Sequence, residues 1–186
     1  MKHLKLSLIA LALISTLISC GGNQEANAEG FSEIEQEIKD EFGNDAYFTD
    51  ITILHDETIG NIINVTVTKD PESLQMGEWT QSQGIWQQNS DIILEIPEGT
   101  KAADFMFQLK DEINLRTLGE LIEKSKKQLK DEKSLENPRL SLASIIYPDD
   151  GDISKAEYFI DLEPENGGTS FSFYYSLDGE LRTMNY

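Results

Sequence analysis

Few residues of this chain are equipped for nucleophilic or metal chemistry. It has two histidines, His3 and His55, and one cysteine, Cys20. A triad built on imidazole would have to use His55, which precedes Asp56 and Glu57 in a turn-like setting suited to a solvated side chain. No phosphate loop, dinucleotide fingerprint, zinc-protease helix or nucleophile elbow occurs. The 34 acids guarantee close carboxylate pairs by chance, so their abundance does not argue for glycoside hydrolysis. Asp149-Asp150-Gly151-Asp152 invites comparison with a calcium loop. An EF-hand needs acids at alternate positions, with glycine sixth and glutamate twelfth. Here the acids adjoin and the glycine falls too early, so the segment reads as an acidic hairpin loop after Pro148. The expectation is a protein that is not an enzyme, with no catalytic residue, no metal and no cofactor. A hydrolase using Asp or Glu stands behind two binding readings.

Aromatic side chains are the better candidates. Phe171, Phe173, Tyr175 and Leu177 alternate and would share one face of a strand, which Phe159 would join. Exposed clustered aromatics mark interaction sites. Phe159, Phe171, Phe173 and Tyr175 are therefore the candidate binding surface.

Cys20 suggests a different chemistry. Lys2, His3 and Lys5 precede an apolar run from Leu6 to Ile18, about the length of a signal h-region and too short to span a bilayer. Leu17-Ile18-Ser19-Cys20 then places a large aliphatic, a tolerated residue and a small residue before the cysteine. This pattern resembles the lipobox of bacterial lipoprotein signal peptides. The resemblance implies cleavage of residues 1–19, lipidation of Cys20 and membrane attachment through that lipid anchor. Gly21, rather than aspartate, after the cysteine points by analogy to the outer membrane where the host has one. Gly21 to Gly30 is small, polar and acidic, and residues 20–30 read as the lipidated cysteine and a flexible tether. Removing residues 1–19 takes away Lys2 and Lys5 and no acid, deepening the net charge from −19 to −21. Such a domain is repelled by nucleic acid and by anionic surfaces, and no nucleic-acid-binding motif occurs.

The elements that must position these residues alternate in a regular order. Ser32 with Glu35 predicts a capped helix carrying Ile34, Ile38 and Phe42 on one stripe and ending at Gly43. Strands are expected over 46–54, 62–68, 78–82, 85–88 and 92–96, with Phe48 out of phase with Ile51 and Ile53. A short strand is also expected through Phe105, Phe107 and Leu109. Gln83-Gly84 predicts a tight turn that puts Trp79 and Trp86 on one core-like face and leaves the other face wet. Thr117 with Glu120 predicts a second capped helix, with Leu118, Leu121, Ile122, Ser125 and Leu129 inward, to about Lys133. Strands over 140–147, 156–162, 169–176 and 180–184 follow, the last two joined by a two-residue turn at Asp178-Gly179.

The two halves, 31–113 and 114–186, thus share one order of helix and antiparallel strands. Residues 61–68 match 156–163, and Gly84 matches Gly179 at the same offset. That offset sets the second-half aromatics on the face that is polar in the first half. Either the match slips by one residue, which swaps faces, or the second half exposes an aromatic patch. The fold class is α+β: one antiparallel sheet with two helices packed on one face, from tandem repeats. This layout resembles the β-lactamase-inhibitor-protein and PepSY-like group over about residues 31–186. The resemblance implies an exported binding or inhibitory module. The expected function is a lipid-anchored envelope protein that binds an unknown protein or peptide partner, with a small-ligand or glycan binder as the alternative.

Overall fold

The computed structural model describes residues 23–56 and 58–186. The expected signal segment 1–19 and expected lipidation site Cys20, with residues 21 and 22, lie outside the described residues. Among the described residues the chain forms two α-helices and eight strands: α1 (Ala28–Phe42), β1 (Tyr47–Asp56), β2 (Gly60–Thr68), β3 (Gln75–Ser82), β4 (Ile85–Ile93), α2 (Leu115–Lys133), β5 (Pro138–Ile146), β6 (Glu157–Pro164), β7 (Phe171–Ser176) and β8 (Leu181–Asn185). The strands make one antiparallel sheet in the order β4-β3-β2-β1-β5-β6-β7-β8. Two four-strand meanders therefore join back to back through β1 and β5, and both helices lie on one face. The α+β architecture matches the expectation from the sequence.

The helix stripes bury as their spacing requires. Phe31, Ile34, Ile38 and Phe42 of α1 and Leu115, Leu118, Leu121, Ile122, Ser125 and Leu129 of α2 pack on Ile51, Ile53, Ile63, Val65, Ala143, Ile145 and Ile160. The anticipated irregularity near Phe48 is present as a register shift between Phe48 and Asp50, and it turns Phe48 into the core.

Both helix starts differ from the expectation. Asn27 caps α1, its Oδ1 accepting from Gly30 N at 2.9 Å, and Asn114 caps α2, accepting from Thr117 N at 2.8 Å. Asparagine caps as well as serine or threonine, and the earlier starts allow Phe31 and Leu115 to be buried. The expected flexible tether therefore does not extend to Gly30: residues 24–30 belong to the folded domain. Gln24 is already buried, with Asn61 Nδ2 donating to its carbonyl at 2.9 Å and its own Nε2 donating to Glu37 Oε1 at 2.6 Å.

The expected strands over 85–88 and 92–96 are one continuous strand, β4. The alternation through Phe105–Leu109 does not produce a strand; it contributes one isolated bridge, Phe48 with Phe107. Residues 94–107 instead cross the far end of the sheet's other face. Met76, Ala102 and Met106 bury there as a small second core, flanked by Tyr47, Leu74, Ile92, Leu94 and Ile96.

Candidate functional site

The second-half aromatics divide between the two faces. Phe173 and Tyr175 are fully buried under the helices, each at 0% exposure. Tyr175 Oη and Ser125 Oγ share a hydrogen bond of 2.8 Å, and Lys124 Nζ lies 5.0 Å from the Tyr175 ring centre. Burial pushes the Tyr175 hydroxyl above its ordinary range, with Ser125 opposing. The expectation that these two residues form an exposed binding surface is overturned, because they are core. Phe171 lies on the same helix-covered face at its margin, half-buried, with its ring 5.9 Å from that of Tyr186.

Phe159 does not join them. It pairs with Tyr174, whereas Phe173 pairs with Ile160, so Phe159 points to the opposite face. The offset between the halves is not kept along the chain: Val65 pairs with Trp79 but Ile160 pairs with Phe173, one residue fewer between the two strands, and the loop after β7 restores the count. Ser82 pairs directly with Ile85 across Gln83-Gly84, a two-residue loop. In the second half Ser176 N donates to Glu180 O at 3.0 Å, which encloses Leu177, Asp178 and Gly179. The expected two-residue turn is therefore a three-residue one, with Gly179 at φ +81° taking the left-handed conformation. With the glycines of the two turns aligned, the extra residue moves the preceding strand by one. Trp79 becomes equivalent to Phe173, and Gln81 to Tyr175. A shift of one residue exchanges the faces of a strand.

The first half matches the expectation. Trp79 and Trp86 share the helix-covered face and meet Phe42 edge-on, with ring centres 5.5 Å and 4.9 Å away. The opposite face carries a polar ladder in which Thr80 Oγ1 donates to Asn64 Oδ1 at 2.6 Å and Asn89 Nδ2 to Thr80 Oγ1 at 2.8 Å.

Continuous pairing from Thr80 through Asn64, Thr52, Ser144 and Phe159 to Tyr174 sets one row across this uncovered face. The adjacent row contains Ile62, Leu54 and Leu142 side by side, followed by Asp161 and Ser172. Leu54, Ile62, Leu142, Phe159 and Tyr174 are all half-buried. The Phe159 and Tyr174 rings lie 4.9 Å apart at 55°. Together they form an apolar strip across the middle strands, with no helix or strand of the described residues over it, and the 94–107 segment bounds the far end of the face. Tyr174, Leu54, Ile62 and Leu142 were not among the sequence-based candidates. Their alternation was visible, but placing them on one surface required the register.

Polar groups around the strip are held in place. Ser172 Oγ donates to Asp161 Oδ1 at 2.7 Å, and Thr52 Oγ1 to Asp50 Oδ1 at 3.2 Å. Burial raises the Asp50 carboxyl above its ordinary range, opposed by Thr52 and reinforced by Glu78. His55 is exposed, and its Nδ1 lies 3.0 Å from Asn61 Oδ1. In the acidic loop, Lys155 ion-pairs with Asp150 and, at 3.4 Å, with Asp152, so one lysine ammonium is shared between the two carboxylates. Among the described residues no group of three or more His, Cys, Asp and Glu is arranged to hold a metal ion. No helix among them is long and apolar enough to cross a membrane. No family model, curated protein or solved structure matches the chain.

Proposed function

We propose that this chain is an exported lipoprotein, attached to the cell envelope through lipid on Cys20, whose domain binds a protein or peptide on the uncovered face of its sheet without acting on it chemically. The observation that carries this reading is the apolar strip of Leu54, Ile62, Leu142, Phe159 and Tyr174. A sheet face of this kind normally needs a second layer. Aromatic and aliphatic side chains set among hydroxyls, amides and carboxylates suit a protein interface, with an apolar centre and a polar rim. The tandem layout, which resembles exported binding and inhibitory modules, agrees with this reading.

Crosslinking of the tagged full chain in its native envelope, followed by capture and mass spectrometry, tests it. One recurrent partner at near-equal amount is expected, lost in Phe159→Asp and Tyr174→Asp variants that still fold. The absence of a recurrent partner, or a partner retained by both variants, overturns binding through this face.

A further inference from the structure

The uncovered face of the sheet carries charge as well as the apolar strip. Strand register places Asp50, Glu78, Glu157, Asp161 and Glu163 on that face. Arg182 pairs with Glu157 at 3.0 Å, and Arg139 with Glu163 at 3.7 Å. The other three have no lysine or arginine at ion-pair distance among the described residues. Asp50, Glu78 and Asp161 accept instead from the hydroxyls of Thr52, Ser90 and Ser172. The bordering segments do not reverse the sign. Lys101 is the one cation of residues 94–107, beside Glu95, Glu98 and Asp104, and Lys155 is shared between Asp150 and Asp152.

The three carboxylates without a cation flank the strip. Glu78 pairs with Thr66 and Thr66 with Asp50, which makes the row next to Thr80, Asn64 and Thr52. Neighbouring strands lie about 4.8 Å apart, so Glu78 and Asp50 stand about 10 Å from each other on one side of the strip. Asp161 pairs with Leu142 and follows Phe159 by two residues on the same strand face, about 7 Å away. All three are half-buried. Burial, reinforced by Glu78, disfavours the ionised form of Asp50, so the free fold bears a cost there at neutral pH. A cation supplied from outside relieves that cost.

We propose that the partner of the uncovered face is a cationic protein segment, which seats apolar side chains on the strip and lysine or arginine side chains on Asp50, Glu78 and Asp161. The proposal deepens the reading of this face as a binding surface and rests on it. The strip supplies the apolar centre, and the carboxylates select the sign of the partner. Arginine suits the corner at Asp161, because a guanidinium lying on the Phe159 ring can also bond the carboxylate. An extended segment of six residues spans about 20 Å, enough to reach from Asp161 to Asp50.

The test uses the full chain and a labelled peptide, Arg-Arg-Leu-Leu-Arg-Arg, with a counterpart carrying glutamate in place of each arginine. Fluorescence anisotropy in physiological salt reports binding. The arginine peptide should bind and the glutamate peptide should not. Combining Asp50→Asn, Glu78→Gln and Asp161→Asn should weaken the arginine peptide about ten-fold, as three partly exposed ion pairs together imply. Combining Glu33→Gln, Glu41→Gln and Glu132→Gln removes as much charge from exposed positions on the two helices, and should leave binding within about two-fold. Equal losses in the two triple variants trace the attraction to net charge and overturn the assignment to this face. Equal binding of both peptides, or of neither, overturns a cationic occupant. The binding role of the face is decided separately, by capture in the native envelope with the Phe159→Asp and Tyr174→Asp variants.

Discussion

The Glu35 carboxylate, midway along α1, accepts a hydrogen bond from the Leu115 backbone N–H at 2.7 Å, so one helix caps the start of the other. The relation is returned: Glu123 of α2 accepts from Ala28 N at 3.1 Å. A helix N-terminus presents donors without intrahelical partners and favours negative charge. The two helices therefore lie antiparallel, each supplying the carboxylate the other needs. Lys39, 2.5 Å from Glu35 Oε1, holds the first carboxylate in position.

Glu35→Ala should cost about 1–2 kcal/mol of stability in urea unfolding, and Glu35→Gln less, because the amide oxygen still accepts. An unchanged midpoint for both variants would show that the cap contributes nothing.

The start of α1 lies close against α2 at Gly119. A Cβ there would lie 2.4 Å from Asn27 O and 2.7 Å from Ala28 Cα, both backbone atoms. Gly119→Ala should destabilise by about 2 kcal/mol, although alanine ordinarily favours a helix interior by ~1 kcal/mol. A rise in melting temperature would show that the helices can separate freely at this point.

Phe173 and Phe159 come from adjacent strands and opposite faces. Phe173→Ala should cost about 3–5 kcal/mol, as for other buried phenylalanines. Phe159→Ala, half-exposed, should cost roughly 1 kcal/mol or less, with its effect appearing in partner capture. Equal losses of stability would contradict the face assignment.

Asp50 gives a pH dependence whose sign follows from its environment. Burial raises its folded pKa above the ordinary aspartate value of 3.8, so the ionised carboxylate weakens the fold at neutral pH. That penalty is relieved as pH falls through the raised value, and it is gone below 3.8. Asp50→Asn keeps an acceptor for Thr52 and should raise the melting temperature at pH 7, with the gain shrinking toward pH 4. A gain that is constant across this range would show that ionisation is not the cause.

Much of the architecture was legible in the residues themselves. The inward stripes of both helices, the succession of helices and strands along the chain, the Gln83-Gly84 turn and the irregularity at Phe48 all follow from local rules of spacing and turn chemistry. The Trp79 and Trp86 face was legible for the same reason, because a two-residue turn fixes its register. The helix starts were misplaced because Asn27 and Asn114 compete equally well with Ser32 and Thr117, and local sequence does not rank them. Packing decided: Phe31 and Leu115 reach the core only with the earlier starts.

By itself the sequence determined the α+β order, the tandem arrangement and the acidic balance of this protein, because these depend on composition and on periodicities read within single elements. The tertiary structure decided which aromatics face outward and how closely residue 24 is bound. One residue fewer between β6 and β7, made up by one more in the loop 177–179, reverses the face of β7 relative to the repeat, and a two-fold periodicity cannot reveal its own phase. The strip from Ile62 to Tyr174 joins side chains that are far apart in the chain. It exists through strand register and helix placement, which are settled only when every layer packs at once.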